Sequence, residues 1–106
     1  MPTEIDNQST FKQELKGNDK VVVDYYAVWC GPCNAFSPKF IELEAEFPTI
    51  KFLKVDVDKC PGISKEYKIA AMPTFLTFHK EDQFDKLVGA NEKKLRNILQ
   101  KLQDKE

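Results

Sequence analysis

The feature that most constrains the fold is a run of mostly apolar residues, 21–28, that leads directly into a helical pattern. Apart from Asp24, the run is apolar or aromatic, as expected of a central strand covered on both faces by other elements. The pentapeptide Trp29-Cys30-Gly31-Pro32-Cys33 lies at the junction of this strand with the helix. The chain must therefore place helices on both sides of a sheet, with two cysteines where one helix begins.

Strands and helices alternate along the rest of the chain. The pattern predicts strands at 21–28, 50–57, 74–79 and 84–88, and helices after Asn7, from Cys33 to Phe47, around Ile63 and after Asn91. Strands joined through helices run parallel with right-handed crossovers, whereas the short turn after residue 79 obliges the last two strands to run antiparallel. We therefore predict an α/β protein, a three-layer α/β/α sandwich with a mixed sheet, forming one domain over residues 1–106.

Charge and composition exclude several function classes. The chain has 16 Lys and Arg against 17 Asp and Glu, so it lacks the basic excess typical of nucleic-acid and polybasic membrane binding. Its polar start does not resemble a signal peptide, and no segment approaches the roughly 20 apolar residues of a membrane span. We expect a cytoplasmic protein, and there a Cys-x-x-Cys pair is catalytic or metal-binding rather than a structural disulfide.

Cys30 and Cys33 are spaced to close a small disulfide ring. At the first turn of a helix, the leading sulfur lies among unpaired backbone N–H groups and near the positive end of the helix dipole. That environment favours the thiolate, which is the species that attacks disulfides. We interpret the pair as a site of reversible dithiol/disulfide exchange rather than as two inert thiols. Zinc would need four converging ligands, and the candidates are scattered over different elements, so no metal site is expected at Cys30, Cys33, Cys60 or His79.

Asp24 is the most informative residue outside the pentapeptide. It shares strand parity with Val22 and Tyr26 and so points into a layer that should be apolar, where burial raises the pKa of a carboxyl group. A carboxylate poised near neutral pH can take the proton from Cys33, directly or through a water, as that thiol prepares to attack. The alternative is a strand-end aspartate that reaches solvent. Pairing with Asp24 would also explain Lys54, whose alternative is a side chain extended to the surface.

The other residues of the pentapeptide are assigned to the same site. Gly31 lets a partner backbone approach closely, and Pro32 suits a first helical turn, where its missing N–H costs nothing. Together they are expected to tune how readily the dithiol oxidises. The alternative is that they only mark the junction of loop and helix, which would give the same two residues. Trp29 is expected to shield the sulfurs and offer a flat apolar contact to partners, with a core role as the alternative.

Taken together, these landmarks resemble the thioredoxin family over essentially the whole chain. The pentapeptide is identical to the family's active-site motif, and Asp24 and Lys54 match its buried carboxylate and partner lysine. Met72-Pro73-Thr74 is similar to the cis-proline loop, and Val88-Gly89-Ala90 to the loop that completes the substrate surface. The resemblance implies a thioredoxin fold, with a central mixed five-stranded sheet and four flanking helices. It also implies substrate contacts at Trp29, Met72, Pro73, Gly89 and Ala90.

The implied activity is that of a general protein-disulfide reductase. Cys30 would attack a target disulfide, and Cys33 would resolve the mixed disulfide to leave an internal Cys30–Cys33 disulfide. The sequence departs from the family pattern at Tyr25-Tyr26 and at Asn34, which affects the expected reduction potential. Cys60 resembles an accessory cysteine of some eukaryotic members, but a semi-exposed residue without function is the favoured interpretation.

The resemblance also implies partners. No bound cofactor is expected, because electrons reach thioredoxins from NADPH through a separate flavoprotein, thioredoxin reductase. Expected acceptors are peroxiredoxins, methionine sulfoxide reductases and ribonucleotide reductase, and a monomer is expected. Two alternatives remain open from the sequence: a binding or adaptor module on the same scaffold, and a disulfide-forming oxidase or isomerase.

Overall fold

The computed structural model describes residues 1–106 and contains five strands and four helices. Every predicted strand and helix is present, with ends shifted by a few residues. In chain order the elements are β1 (Thr3–Ile5), α1 (Gln8–Gly17), β2 (Lys20–Tyr26), α2 (Gly31–Glu46), β3 (Lys51–Asp56), α3 (Pro61–Glu66), β4 (Thr74–His79), β5 (Asp82–Val88) and α4 (Glu92–Gln103).

The sheet is mixed, with the strand order β1-β3-β2-β4-β5. The strands β1, β3 and β2 are parallel, whereas β4 pairs antiparallel with both β2 and β5. Lys80 and Glu81 form the turn between β4 and β5 with φ of 50° and 76°, the backbone that a two-residue hairpin favours. The predicted antiparallel hairpin and the mixed five-stranded sheet are therefore confirmed.

The first strand is the one element that the sequence pattern did not locate. β1 is only three residues long, and of these only Ile5 is fully buried. So short a segment carries no periodic signal of its own, and the pattern showed only a polar start. Its place is set instead by register with β3, where Glu4 lies opposite Lys54 and Ile5 opposite Val55.

The two faces of the sheet carry separate hydrophobic cores because side chains alternate along β2. Val21, Val23 and Tyr25 face α1 and α3, while Val22 faces α2 and α4. The core under α2 and α4 is rich in aromatic rings and leucines: Phe36, Phe40, Phe47, Phe52, Phe75, Leu43, Leu95, Leu99 and Leu102. Asp24 therefore follows Val22 onto an apolar face.

Asparagine side chains cap the starts of α1 and α4. Asn7 Oδ1 accepts the Thr10 backbone N–H at 2.8 Å, and Asn91 Oδ1 accepts the Lys94 N–H at 3.0 Å. The second helix begins at Gly31, earlier than predicted, and continues through Pro38. Its N-cap residue is Cys30, which places a sulfur atom where α1 and α4 have an amide oxygen.

The packing of α4 generates a stability prediction. Leu99 is fully buried against the sheet, so Leu99→Ala should lower the free energy of unfolding by about 2–5 kcal/mol through lost burial and a residual cavity. Asn97→Ala, on the exposed side of the same helix, should change it by less than about 0.5 kcal/mol. Urea unfolding of both variants measures the difference. Equal losses would show that α4 does not depend on this buried seam.

Candidate active site

The two cysteines of the pentapeptide occupy the first turn of α2. Cys30 is the N-cap residue with extended backbone, and its Cα lies 5.3 Å from that of Cys33, to which it is joined by a disulfide. The backbone N–H of Cys33 donates to Cys30 Sγ at 3.2 Å. That N–H is one of the helix-start donors with no partner inside the helix, so it is free to bind a sulfur acceptor. The predicted position of the leading sulfur is confirmed.

The loop before the helix is held in place by Asn34, a departure from the family pattern. Its side-chain N–H donates to the Val28 backbone carbonyl at 3.0 Å, which ties the first turn of α2 back to the end of the preceding segment. The residue therefore contributes a hydrogen bond that fixes the backbone leading to Cys30.

Exposure does not separate the two cysteines. Cys30 at the helix start and Cys33 within the first turn are each only 5% exposed in this disulfide form. They form a small buried cluster with Ala27, against which Tyr26 and Met72 pack. The asymmetry lies in their surroundings instead, because Cys30 Sγ accepts the helix-start N–H and lies 3.6 Å from the Met72 carbonyl oxygen.

The two loops predicted to complete the site are joined to each other. The Met72-Pro73 peptide bond is cis, as the resemblance implied. The Gly89 N–H donates to the Pro73 carbonyl at 2.8 Å, and Gly89 adopts a φ of 106°, which favours glycine. Pro73 is buried, Met72 is half-buried and Ala90 is exposed. The backbone of both loops therefore lies beside the disulfide.

Exposed apolar side chains flank the sulfurs. Trp29 is 67% exposed, which excludes the core role left open by the sequence, and Val28 and Val88 are 65% and 56% exposed. The Trp29 indole N–H donates to Asp58 Oδ2 at 2.8 Å, which fixes the ring against the loop after β3. An apolar rim of this kind is typical of a surface that binds other proteins.

Asp24 is buried close to this site. It is 3% exposed, and its Oδ1 atom is buried without a hydrogen-bond partner. Burial raises the pKa of Asp24 to about 7, while the Lys54 charge opposes the rise and the Glu4 charge adds to it. The interpretation of Asp24 as a strand-end residue in solvent is therefore wrong, and a buried carboxyl poised near neutrality is present.

Lys54 is placed differently from the prediction. It is the register partner of Asp24 on the neighbouring strand, yet no ion pair joins the two side chains. The Lys54 ammonium instead lies 4.4 Å from the centroid of the Tyr26 ring. The expected pairing is therefore wrong as a direct contact, although the Lys54 charge still lowers the pKa of Asp24.

A second buried carboxylate, Asp56, was missed by sequence analysis. It is 2% exposed and its Oδ1 atom accepts the Asp58 backbone N–H at 2.9 Å, which orders the turn that carries Asp58 to Trp29. An aspartate at a strand end followed by Val-Asp-Lys could have indicated such a turn, since aspartate commonly accepts the backbone N–H two residues later.

Cys60 does not belong to the site. The expectation of a semi-exposed residue is wrong, because Cys60 is 5% exposed and its thiol donates to the Ile5 carbonyl with an Sγ–O distance of 3.4 Å. Burial, with help from the nearby Asp6, raises the pKa of this thiol.

His79 is half-buried, and no group of three or more His, Cys, Asp or Glu side chains is placed to hold a metal ion. No helix has both the length and the apolar character that a membrane crossing requires.

Comparisons with known proteins agree with this geometry. A family model described as Thioredoxin matches residues 2–101. Thioredoxin-2 of Pyricularia oryzae is 46% identical over 88% of this chain, which spans only 54% of that relative's length. Thioredoxin of Equus caballus is 38% identical over 96% of this chain and 99% of its own. The crystal structure of oxidised mitochondrial thioredoxin 3 from Saccharomyces cerevisiae superimposes with a TM-score of 0.92, at 39% identity and 95% coverage of both chains.

The fold and the site together define a class of protein: an α/β protein that carries a disulfide at a helix start, which is the arrangement of a thiol–disulfide oxidoreductase. The chain belongs to the thioredoxin family. The fold and the kind of chemistry expected from the resemblance are thereby confirmed.

Burial of Asp24 predicts an unusual dependence of stability on pH. With a folded pKa of about 7 against 3.8 for an ordinary aspartate, the folded state binds a proton that the unfolded state has lost, so stability falls as pH rises through this window. Asp24→Asn removes that slope, and at pH 8 it should raise the free energy of unfolding by up to about 4 kcal/mol. Urea unfolding of the oxidised protein at pH 4, 6 and 8 measures it.

Asp19→Asn, on an exposed residue, is the matched control and should keep the pH dependence of the unsubstituted chain. If Asp24→Asn also kept the pH dependence of the free energy of unfolding, the Asp24 carboxyl would be solvated in solution. It could then not act as an acid–base group near neutral pH.

Proposed function

We propose that this chain is a general protein-disulfide reductase in which Cys30 attacks and Cys33 resolves. The observation that carries the proposal is the hydrogen bond from the Cys33 N–H to Cys30 Sγ at the start of α2. In the reduced protein the same donor, with the positive end of the helix dipole, stabilises negative charge on the Cys30 sulfur. Cys33 lacks that position, which distinguishes the two roles.

In the first step the Cys30 thiolate attacks one sulfur of a target disulfide. A Cys30–target S–S bond forms, the target's own S–S bond breaks, and the second target sulfur leaves as a thiolate. The Met72 carbonyl beside Cys30 Sγ and the Gly89 N–H bound to Pro73 place peptide backbone at the edge of the site. An extended target segment pairs with this backbone in the manner of an added strand.

In the second step Cys33 becomes the nucleophile. Its thiol gives the proton to the Asp24 carboxylate, directly or through a water, and the resulting thiolate attacks Cys30 Sγ. The Cys30–Cys33 bond forms and the Cys30–target bond breaks, so the remaining target sulfur leaves as a thiolate. The target has gained two electrons and the protein is left as the disulfide. Asp24 suits this role because burial raises its pKa to about 7.

The apolar surface around the sulfurs supports broad recognition of targets. Trp29 presents a fixed, exposed ring, and Met72, Pro73, Gly89 and Ala90 supply mainly backbone and small side chains. A Cβ added at Gly31 would meet nothing within 4 Å, so the fold itself does not require glycine there. The open space at Gly31 is needed by an approaching target, and Pro32 rigidifies the turn that sets how readily the dithiol oxidises. The positive charge of Lys54 lowers the pKa of the Asp24 carboxyl and so limits the rise that burial causes.

The proposed electron source is NADPH through a separate flavoprotein, thioredoxin reductase, with electron transport and cell redox homeostasis as the wider role. Peroxiredoxins, methionine sulfoxide reductases and ribonucleotide reductase are the proposed acceptors. One similar solved structure concerns the thiol-resolving mechanism of a yeast mitochondrial 1-Cys peroxiredoxin via glutathione/thioredoxin systems, which supports the first of these classes.

We place this activity in the cytoplasm, where reducing conditions keep a dithiol able to donate electrons; a similar yeast thioredoxin is mitochondrial. Both hydrophobic cores close within residues 1–106, which supports a single thioredoxin domain acting as a monomer.

Cysteine variants test whether Cys30 attacks and Cys33 resolves. Cys30→Ser should reduce a protein with an inter-chain disulfide no faster than the uncatalysed reaction, because the attacking sulfur is gone. Cys33→Ser should accumulate covalent complexes with target proteins, because the mixed disulfide is not resolved. Turnover with a reductase and NADPH measures the first effect, and non-reducing electrophoresis measures the second.

Cys60→Ser is the matched control, since Cys60 is buried away from the site, and it should retain the full rate. Reduction by Cys30→Ser at the rate of the unsubstituted chain would end the reductase proposal. Trapping through Cys30 by a chain that shows no turnover would instead favour a binding module.

A further inference from the structure

Three ionisable side chains form a row across the sheet beside the active site. Glu4 on β1 is in register with Lys54 on β3, and Lys54 is in register with Asp24 on β2. Register partners in a parallel sheet project to the same face, so the order acid, base, acid runs from the edge strand to the centre of the sheet. Asp24 is buried, Lys54 half-buried and Glu4 exposed, so the row leads from the protein interior to water.

Tyr26 lies across this row. It follows Asp24 by two residues on β2 and so shares its face, and its hydroxyl donates to the Glu4 carboxylate, with distances of 2.8 and 2.9 Å to the two oxygens. Its ring packs against the buried Cys30–Cys33 cluster on one side and holds the Lys54 ammonium 4.4 Å from its centroid. Burial and the bond to Glu4 raise the pKa of the Tyr26 hydroxyl, which therefore stays a donor.

Lys54 and Glu4 are the charges that act on Asp24, and its neighbour on β4 is the apolar Phe75. The buried Asp56 lies on the same face of the sheet, in register with Tyr26, and its Oδ1 accepts the Asp58 backbone N–H. From the helices above this face, α4 contributes leucines, and α2 contributes Phe36, Phe40 and Leu43 as well as Cys33. The position of the Lys54 ammonium therefore decides how strongly Asp24 is held as a carboxylate.

We propose that Tyr26 and Glu4 are positioning residues for disulfide exchange, which hold the Lys54 ammonium on the tyrosine ring and away from Asp24. A direct ion pair would keep Asp24 permanently ionised and make it a weak base. With the ammonium held on the ring, the buried carboxyl can accept a proton and return it near neutral pH. The inference deepens the proposed function, because it rests on Asp24 as the proton acceptor for Cys33.

The direct test is the titration of the Asp24 carboxyl carbon by NMR in the reduced full-length chain. Tyr26→Leu removes the ring, so the Lys54 ammonium should approach Asp24 and move the titration midpoint down by about one pH unit. Lys54→Met should move the midpoint up. In the Lys54→Met background, Tyr26→Leu should have less than about a third of its effect in the unsubstituted chain, because the ring then has no ammonium to hold.

A conservative variant keeps the test independent of folding defects. Glu4→Gln retains an oxygen acceptor for the Tyr26 hydroxyl but loses the charge that draws Lys54 outward, so it should also lower the midpoint. Because the Glu4 charge itself raises the pKa of Asp24, the part of this shift that is due to Lys54 is the part that disappears in the Lys54→Met background. Glu81→Gln, which changes an exposed carboxylate in the β4–β5 turn, is the matched control and should leave the midpoint unchanged.

The outcomes distinguish the positioning role of Tyr26 and Glu4 from the role of Asp24 as the base. An equal downward shift from Tyr26→Leu with and without Lys54 would show that the ring only excludes water, and would overturn the inference. A Glu4→Gln shift of the same size with and without Lys54 would overturn it as well. The titration needs no turnover, so these results do not depend on the proposed activity. The rate of mixed-disulfide resolution should follow the shifted midpoints, and a rate that ignored them would count against Asp24 as the base instead.

Discussion

The chemistry of this protein depends on one hydrogen bond, from the Cys33 backbone N–H to the Cys30 sulfur. It exists because β2 ends just before the pentapeptide and α2 begins within it, so that a sulfur takes the N-cap position usually held by an oxygen. The sheet, the two cores and the cis-proline loop all serve to hold that sulfur at the start of the helix and at the surface of the sheet. Without this bond the two cysteines would be ordinary buried thiols.

A second constraint is the cost of keeping Asp24 in the same protein interior. A buried carboxyl without a hydrogen-bond partner destabilises the fold at neutral pH, and the chain retains it beside two apolar cores that could close without it. The arrangement resembles other active sites, where stability is given up for a group that titrates near the working pH. Lys54, Tyr26 and Glu4 lie between this carboxyl and the solvent. Through Glu4, the three-residue edge strand β1 therefore takes part in the environment of the active site.

Much of this organisation could be predicted from the sequence. The apolar strand 21–28, the helical stripe after Cys33 and the Asn7 cap have strong local signals, and they fixed the layers and the position of the pentapeptide. The edge strand β1 could not be located, because three residues have no period and depend on pairing with β3. The prediction for the Lys54 ammonium was also wrong because its position depends on contacts between strands. It lies on the ring of Tyr26, which is bound to Glu4, and both residues are on other strands. The burial of Cys60 likewise follows from its contact with Ile5, far away in sequence.

The central claim is that the helix start holds the Cys30 sulfur as a thiolate in the reduced protein. The most direct measurement is the rate of alkylation of each cysteine by iodoacetamide between pH 5 and 9, followed by mass spectrometry of the reduced chain. Cys30 should react well before Cys33 and Cys60, and at pH values below those at which free cysteine begins to react. If Cys30 instead reacted no faster than free cysteine near neutral pH, the hydrogen bond at the helix start would not activate it and the account would be contradicted.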